Sequence, residues 1–171
     1  GNSIFLQLSV KGGVVVNITG HGTGGNENLS IEECETKAHN FANDLGFSNM
    51  YSVWSAQNGD IVYINLAPII NRTIYYPDLV KVKINAKTGG IVGVDATNYC
   101  YNHVERTLST PKLTFDDAQK LISPLLKVEE RNLALIANDF VGETLTYEFI
   151  CSWNDYVYYV YIDAETGEEC N

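Results

Sequence analysis

The sequence predicts an α+β fold: two tandem units, each a helix packed on an antiparallel β-sheet, with extra strands at the N-terminus. Three observations carry this. A strand runs twice into the same corner, at Ile84-Asn85-Ala86-Lys87-Thr88-Gly89 and at Ile162-Asp163-Ala164-Glu165-Thr166-Gly167. Upstream of each corner lies a similar helix start, Leu29-Ser30-Ile31-Glu32-Glu33 and Leu113-Thr114-Phe115-Asp116-Asp117. Shared order of this kind marks a duplicated unit. Between helix and corner the pattern is β-rich and punctuated by turn residues.

The boundaries follow from these signals. Residues 1–28 hold N-terminal strands, at about 3–10 and 13–19, that could be the end of a preceding unit; Lys11-Gly12-Gly13 turns between them. The first repeat occupies 29–98, a linker 99–112 and the second repeat 113–171. In the first helix Ser30 and Glu33 form a capping box, and Ile31, Cys34, Ala38, Phe41, Ala42 and Leu45 recur at helical spacing up to Gly46. Asn58-Gly59 signals a hairpin between strands at about 50–56 and 60–66. Val80-Lys81-Val82-Lys83-Ile84 alternates strictly, giving one buried and one wet face, and the chain returns through Ile91 to Val94.

In the second repeat Thr114 and Asp117 cap a helix whose stripe is Phe115, Ala118, Leu121, Ile122 and Leu125, with Pro124 ending or kinking it. Strands follow at about 132–138, 143–151 and 156–163, the last hairpin turning at Asn154-Asp155. Aligning the corners matches Val80, Val82 and Ile84 with Tyr158, Val160 and Ile162, so these are expected to face the core. Lys81 and Lys83 then match Tyr159 and Tyr161 on the opposite face. Exposed tyrosines on a sheet suggest an interface, because tyrosine buries a large area at small entropic cost. The competing account is that another part of the chain covers them.

Composition narrows the function classes. The 171 residues include 45% apolar side chains, enough for real cores. A net charge of −10 argues against a nucleic-acid partner and against anionic lipid heads. No apolar run approaches the roughly 20 residues that span a bilayer, and the opening Gly1-Asn2-Ser3 shows no signal peptide. The four cysteines, Cys34, Cys100, Cys151 and Cys170, contain no C-x-x-C pair; Cys34 and Cys151 read as buried thiols. The sequons at Asn17, Asn28 and Asn71 are ordinary for a chain rich in Asn, Ser and Thr.

Signs of catalysis are absent from the pattern. Gly20-His21-Gly22-Thr23-Gly24-Gly25 looks superficially like a phosphate loop, but the helix starts only at Ser30, so a flexible loop is expected. His21, His39 and His103 have no metal-ligand spacing, and no nucleophile elbow is present. Glu32, Glu33, Glu35, Asp116 and Asp117 are accounted for by helix dipoles. The expectation is therefore no enzyme, no catalytic residue, no metal and no cofactor. The polar residues singled out are His103 and Arg106, between the repeats; their plainer role is tying that segment to a neighbouring strand.

The Asp163 corner, following a Tyr/Val-rich strand and a capped helix, resembles the PepSY domain; Asn85 departs from its Asp but keeps the turn-forming role. Tyr76-Pro77-Asp78-Leu79-Val80-Lys81-Val82, Asn102-His103 with Glu105-Arg106, Leu133-Ala134-Leu135-Ile136, Tyr147-Glu148-Phe149 and Tyr161 through Glu169 resemble the C-terminal region of the YpeB family of spore germination proteins. The resemblance implies tandem PepSY-like units without enzymatic activity. It implies a spore location, at the outer face of the inner membrane or in the cortex region, through an N-terminal anchor absent from this chain. It further implies a regulator that binds, restrains or stabilises a SleB-type cortex-lytic enzyme. The candidate contacts are Tyr159, Tyr161, His103 and Arg106, and a second copy of the chain is a further candidate partner. The alternative readings are a propeptide-like protease inhibitor module and a small α+β ligand binder or enzyme with a polar pocket between helix and sheet.

Overall fold

The computed structural model describes residues 3–20, 22, 24–138 and 142–170. The chain lays down β1 (Ile4–Leu8), β2 (Val15–Gly20), α1 (Ile31–Asp44), β3 (Met50–Asn58) and β4 (Ile61–Ile70). A short β5 (Thr73–Tyr75) and a 3-10 turn (Tyr76–Asp78) precede β6 (Val80–Asn85), β7 (Ile91–Asp95) and α2 (Thr97–Asn102). Then come α3 (Phe115–Gln119), β8 (Lys127–Asn138), β9 (Gly142–Trp153), β10 (Tyr156–Asp163) and β11 (Glu169–Cys170). The fold is mixed α+β, as the sequence predicts, and divides into two compact units, Gly1–Ile69 with Pro77–Val104 and Ile70–Tyr76 with Glu105–Asn171.

In the first unit the sheet order is β1-β2-β7-β6-β4-β3, antiparallel throughout. The N-terminal hairpin extends this sheet, Asn17, Ile18 and Thr19 pairing with Asp95, Val94 and Gly93. The capping box forms as expected: the Glu33 amide donates to Ser30 Oγ at 3.2 Å, and the Ser30 amide donates to Glu33 Oε2 at 2.7 Å. Cys34, Ala38 and Ala42 press the helix onto Val62, Ile64, Leu66, Val80, Val82 and Ile84. Small residues on the helix let its backbone approach the β-branched face closely, and this burial is what holds a lone amphipathic helix. Lys81 and Lys83 stay on the wet face, the Lys83 ammonium 5.6 Å from the Tyr63 ring. The β3–β4 turn falls one residue later than Asn58-Gly59, on Gly59-Asp60, with Gly59 at φ +60.

The glycine-rich loop is not slack. A Cβ on Gly24 would stand 1.9 Å from the Thr88 carbonyl oxygen, and one on Gly22 2.6 Å from the Ile91 oxygen. Backbone-to-backbone packing on the first corner is thus the reason for glycine here. His21 and Thr23 of that motif lie outside the described residues.

The second unit orders its sheet β5-β8-β9-β10-β11, with β5–β8 parallel and the other pairs antiparallel. Its core joins Ala118, Tyr147, Phe149, Cys151, Ile162 and Ala164. Residues 70–76 were expected inside the first repeat; they pack with this unit and give it an edge strand. Helix α2 crosses from the first repeat into the segment read as a linker. Helix α3 stops at Gln119, well before Pro124, which leaves Leu121 and Leu125 exposed instead of completing the stripe. Proline lacks the amide that would extend the turn and disfavours helix at Ser123.

Both corners close in the same way. Gly89 N–H donates to Asn85 O and Gly167 N–H to Asp163 O, with φ of +70 and +79 at the glycines. Asn85 Oδ1 accepts from Thr88 N–H at 3.0 Å; Asp163 Oδ1 accepts from Glu165 and Thr166 N–H at 2.7 and 2.8 Å. Ahead of each helix, Leu29 N–H donates to Ala86 O and Leu113 N–H to Ala164 O, fixing helix start to corner.

Replacing the first cap, Ser30→Ala, is expected to lower stability by about 1 kcal/mol in urea denaturation. Gly24→Ala is expected to lower it further, because the new methyl group meets backbone that the corner hydrogen bonds hold in place.

Candidate interaction surface

The sequence-selected residues divide between the units. In the first, His103 Nδ1 shares a hydrogen bond of 2.7 Å with Oδ2 of fully buried Asp78. Its ring stacks on Tyr99, 4.2 Å between centroids and 12° between planes, and Tyr99 meets Phe47 edge-on at 4.9 Å. The neighbouring Asn102 Nδ2 donates to Pro77 O at 2.9 Å. These contacts bind the end of α2 to the turn that enters β6. In the second unit Arg106 grips Glu143 with both ends of its fork, Nε at 2.8 Å and Nη2 at 2.7 Å, and lies 5.5 Å from the Tyr75 ring. Its side chain is 7% exposed, so it holds residues 105 onward against β9 and β5.

Strand β10 carries the exposed aromatic surface. Tyr156 is 68% exposed, Val157 61%, Tyr158 37% and Tyr159 40%, with Trp153 open beside them on β9. Two of the five positions aligned with the first corner strand, Tyr158 to Ile162, differ from the alternation read in the sequence. Tyr158, expected in the core with Val160 and Ile162, is open, because one-turn α3 covers only the Ile162 end of the strand. Tyr161, expected on the open face with Tyr159, is half-buried and its hydroxyl donates to Glu148 Oε1 at 3.1 Å.

Glu148 is the centre of a polar network that the sequence reading missed. It is buried in β9, and its carboxylate accepts from the Tyr76 hydroxyl, the Tyr161 hydroxyl and Asn132 Nδ2, the last at 2.9 Å. The Tyr76 and Tyr161 rings meet edge-on, 6.0 Å apart. Burial raises both phenols above the ordinary tyrosine range, and the adjacent Glu148 carboxylate raises them further. The one sequence signal was an acid inside the apolar run Tyr147-Glu148-Phe149; its donors come from residues that no local pattern links to it.

Elsewhere the chemistry is sparse. Both helix–sheet cores are built of apolar side chains, which counts against a polar ligand pocket between helix and sheet. Among the described residues no three His, Cys, Asp or Glu side chains are grouped to hold a metal ion. Cys34 and Cys151 are buried free thiols, as read; Cys100 and Cys170 are also free and partly covered. No helix is long and apolar enough to cross a membrane among the described residues.

Replacing Glu148 by leucine strands two hydroxyls and an amide and is expected to cost about 3 kcal/mol; glutamine, which retains an acceptor, should cost about half of that. Chemical denaturation of the two variants beside the parent checks the order. The phenol shifts have their own consequence. Because the folded values are raised, their stabilisation is intact below the unfolded tyrosine value of about 10 and declines as the pH climbs above it. Urea midpoints taken from neutral to strongly alkaline pH should fall accordingly, and less so in Tyr161→Phe.

Comparison with known proteins places this arrangement. The family model for the PepSY1 and PepSY2 domains of YpeB sporulation proteins matches residues 1–109. The sporulation protein YpeB of Halalkalibacterium halodurans is 35% identical over 165 residues, covering 96% of this chain and 37% of that protein. Its counterpart in Bacillus subtilis is 27% identical over 168 residues, 97% of this chain and again 37% of the relative. The chain thus spans little more than a third of these relatives. The solved Bacillus megaterium YpeB C-terminal domain superposes with a TM-score of 0.89 at 27% identity, over 98% of this chain and 75% of that one. With the family model covering well over half its length and a solved C-terminal domain matching its fold, the chain belongs to the YpeB sporulation family, in that family's C-terminal region.

Proposed function

We propose that this chain is a non-enzymatic regulator of spore germination that binds, and thereby restrains or stabilises, a SleB-type cortex-lytic enzyme. Family membership supports the sporulation role. The observation that carries the binding role is the open aromatic stretch of β10, flanked on the Tyr159 face by the Glu148 network. A monomeric surface seldom leaves Trp and several Tyr side chains contiguous and exposed without a partner for them. On this reading the two stretches that carry the matching corners are PepSY-like units in tandem, a view supported by the matching corner hydrogen bonds and by the shared link from Leu29 and Leu113 to the corner alanines. The same reading puts it at the outer face of the spore inner membrane or in the cortex region, tethered by a segment outside this chain.

Titrating the chain against a purified SleB-type enzyme tests the proposal. Saturable binding accompanied by altered lysis of cortex peptidoglycan, or by slower loss of the enzyme's activity, is expected. Neither binding nor any change in activity or its lifetime would sink it.

A further inference from the structure

The outer edge of β10 is open main chain as well as exposed side chain. Pairing with β9 runs without a register shift from Tyr156↔Trp153 to Asp163↔Thr146. The two-residue turn at Asn154 and Asp155, both at positive φ, makes Tyr156 and Trp153 a hydrogen-bonded pair. Antiparallel alternation then turns the N–H and C=O of Tyr158 and Val160 toward β9, and those of Val157 and Tyr159 away from it. The Asp163 N–H bond to Glu168 O, on the far side, confirms this parity. β11 pairs with Tyr161 and Ile162 alone, so among the described residues no strand covers the edge at 156–160.

Natural sheets guard such an edge with lysine, proline, a bulge or a covering loop. Here Tyr156-Val157-Tyr158-Tyr159-Val160 carries no charge and no proline, and both of its faces offer exposed aromatic rings. Acids bracket it: exposed Asp155 stands at one end, exposed Glu168 and Glu169 at the other, and Glu130 acts on Tyr159 from the sheet face. The chain as a whole carries −10, which disfavours a second copy at this edge and favours a cationic partner.

We propose that residues 156–160 receive an extended, lysine- or arginine-flanked segment of a partner protein as an added antiparallel strand, in line with β11. Main-chain bonds to Val157 and Tyr159 hold the strand, and the aromatic rings on either face receive its alternating side chains. The acids at both ends select the flanking cations. This names the contact for the partner binding proposed above and rests on that reading for the partner's biology, although the edge is tested without it.

The probe is a short synthetic peptide of alternating valine and threonine flanked by lysine pairs, beside the same peptide flanked by glutamates. Amide hydrogen exchange of the intact chain gives the site directly. Added lysine-flanked peptide should slow exchange at Val157 and Tyr159 by about tenfold or more, while Tyr158 and Val160 are protected from the start. Val157→Pro removes an outward N–H and leaves the β9 ladder whole, the position at which an edge strand tolerates proline. It should weaken peptide binding by about tenfold while circular dichroism keeps the parent spectrum. Equal binding of the glutamate-flanked peptide, protection elsewhere than Val157 and Tyr159, or protection that rises with protein concentration and no peptide would each overturn the proposal. If the peptide binds as expected but the cortex-lytic enzyme does not, the regulatory reading fails and the edge stands. If the enzyme binds Val157→Pro as well as the parent, the edge fails and the regulatory reading stands.

Discussion

A carboxylate buried in a β-sheet must be supplied with donors, and Glu148 imposes that requirement on the second unit. Water cannot reach it, so its oxygens draw on Tyr76, Tyr161 and Asn132. Each donor arrives on a different element. Asn132 comes from the neighbouring β8 and Tyr161 from β10 on the other side. Tyr76 is separated from Glu148 by 72 positions and is delivered by the short β5, which adds to β8 in parallel. Leaving any of these groups unpaired would cost on the order of 1–3 kcal/mol, comparable to a sizeable part of a small unit's stability. The network therefore does more than satisfy itself. It holds 70–76 in the second unit, and it turns Tyr161 inward while its neighbour Tyr159 stays out.

The two units treat their helices differently, and the surface follows from that difference. Helix α1 runs for 14 residues over the first sheet and shuts Val80, Val82 and Ile84 away from water. Helix α3 is a single turn, 5 residues, and its one buried residue, Ala118, packs with Tyr147, Phe149 and Cys151 of β9 and with Ile162 and Ala164. Beyond its reach Val160 is half covered and Tyr158 is open. The aromatic strip of β10 is thus what a short helix leaves behind. Its rings lie on both faces because successive side chains of a strand point to opposite sides of the sheet. The Glu148 network lies on the same face as Tyr159, beside it, because Glu148 is the cross-strand partner of Tyr161.

Much of the fold was legible because its signals act over a few residues. Ser30 with Glu33 announces a helix start through hydrogen bonds spanning three positions. The Thr-Gly corners need one acceptor side chain and one glycine at positive φ, and Asn85 serves as well as Asp163. Strict alternation in Val80-Lys81-Val82-Lys83-Ile84 is burial on one face written into the chain. Where the same logic was carried to β10 it failed at Tyr158 and Tyr161, since alternation records which face a side chain takes and not whether anything covers that face. Of the residues chosen as candidate contacts, Tyr159 is exposed on the strip, whereas Tyr161, His103 and Arg106 have their polar groups engaged within their own units.

By itself the sequence determined the α+β class, the first helix with its cap, the corners, the hairpin at Asn154-Asp155 and the buried character of Cys34 and Cys151. These are local or periodic properties, set by capping, turn geometry and the alternation of a pleated strand. Only the tertiary structure decided that 70–76 strengthens the second unit, that Glu148 is buried among phenols, and that no strand among the described residues pairs with the edge at 156–160. Such features join residues far apart in the chain, where closing the loop has an entropic cost that no neighbouring residue reveals. The buried carboxylate is satisfied only by donors that the fold brings from other elements.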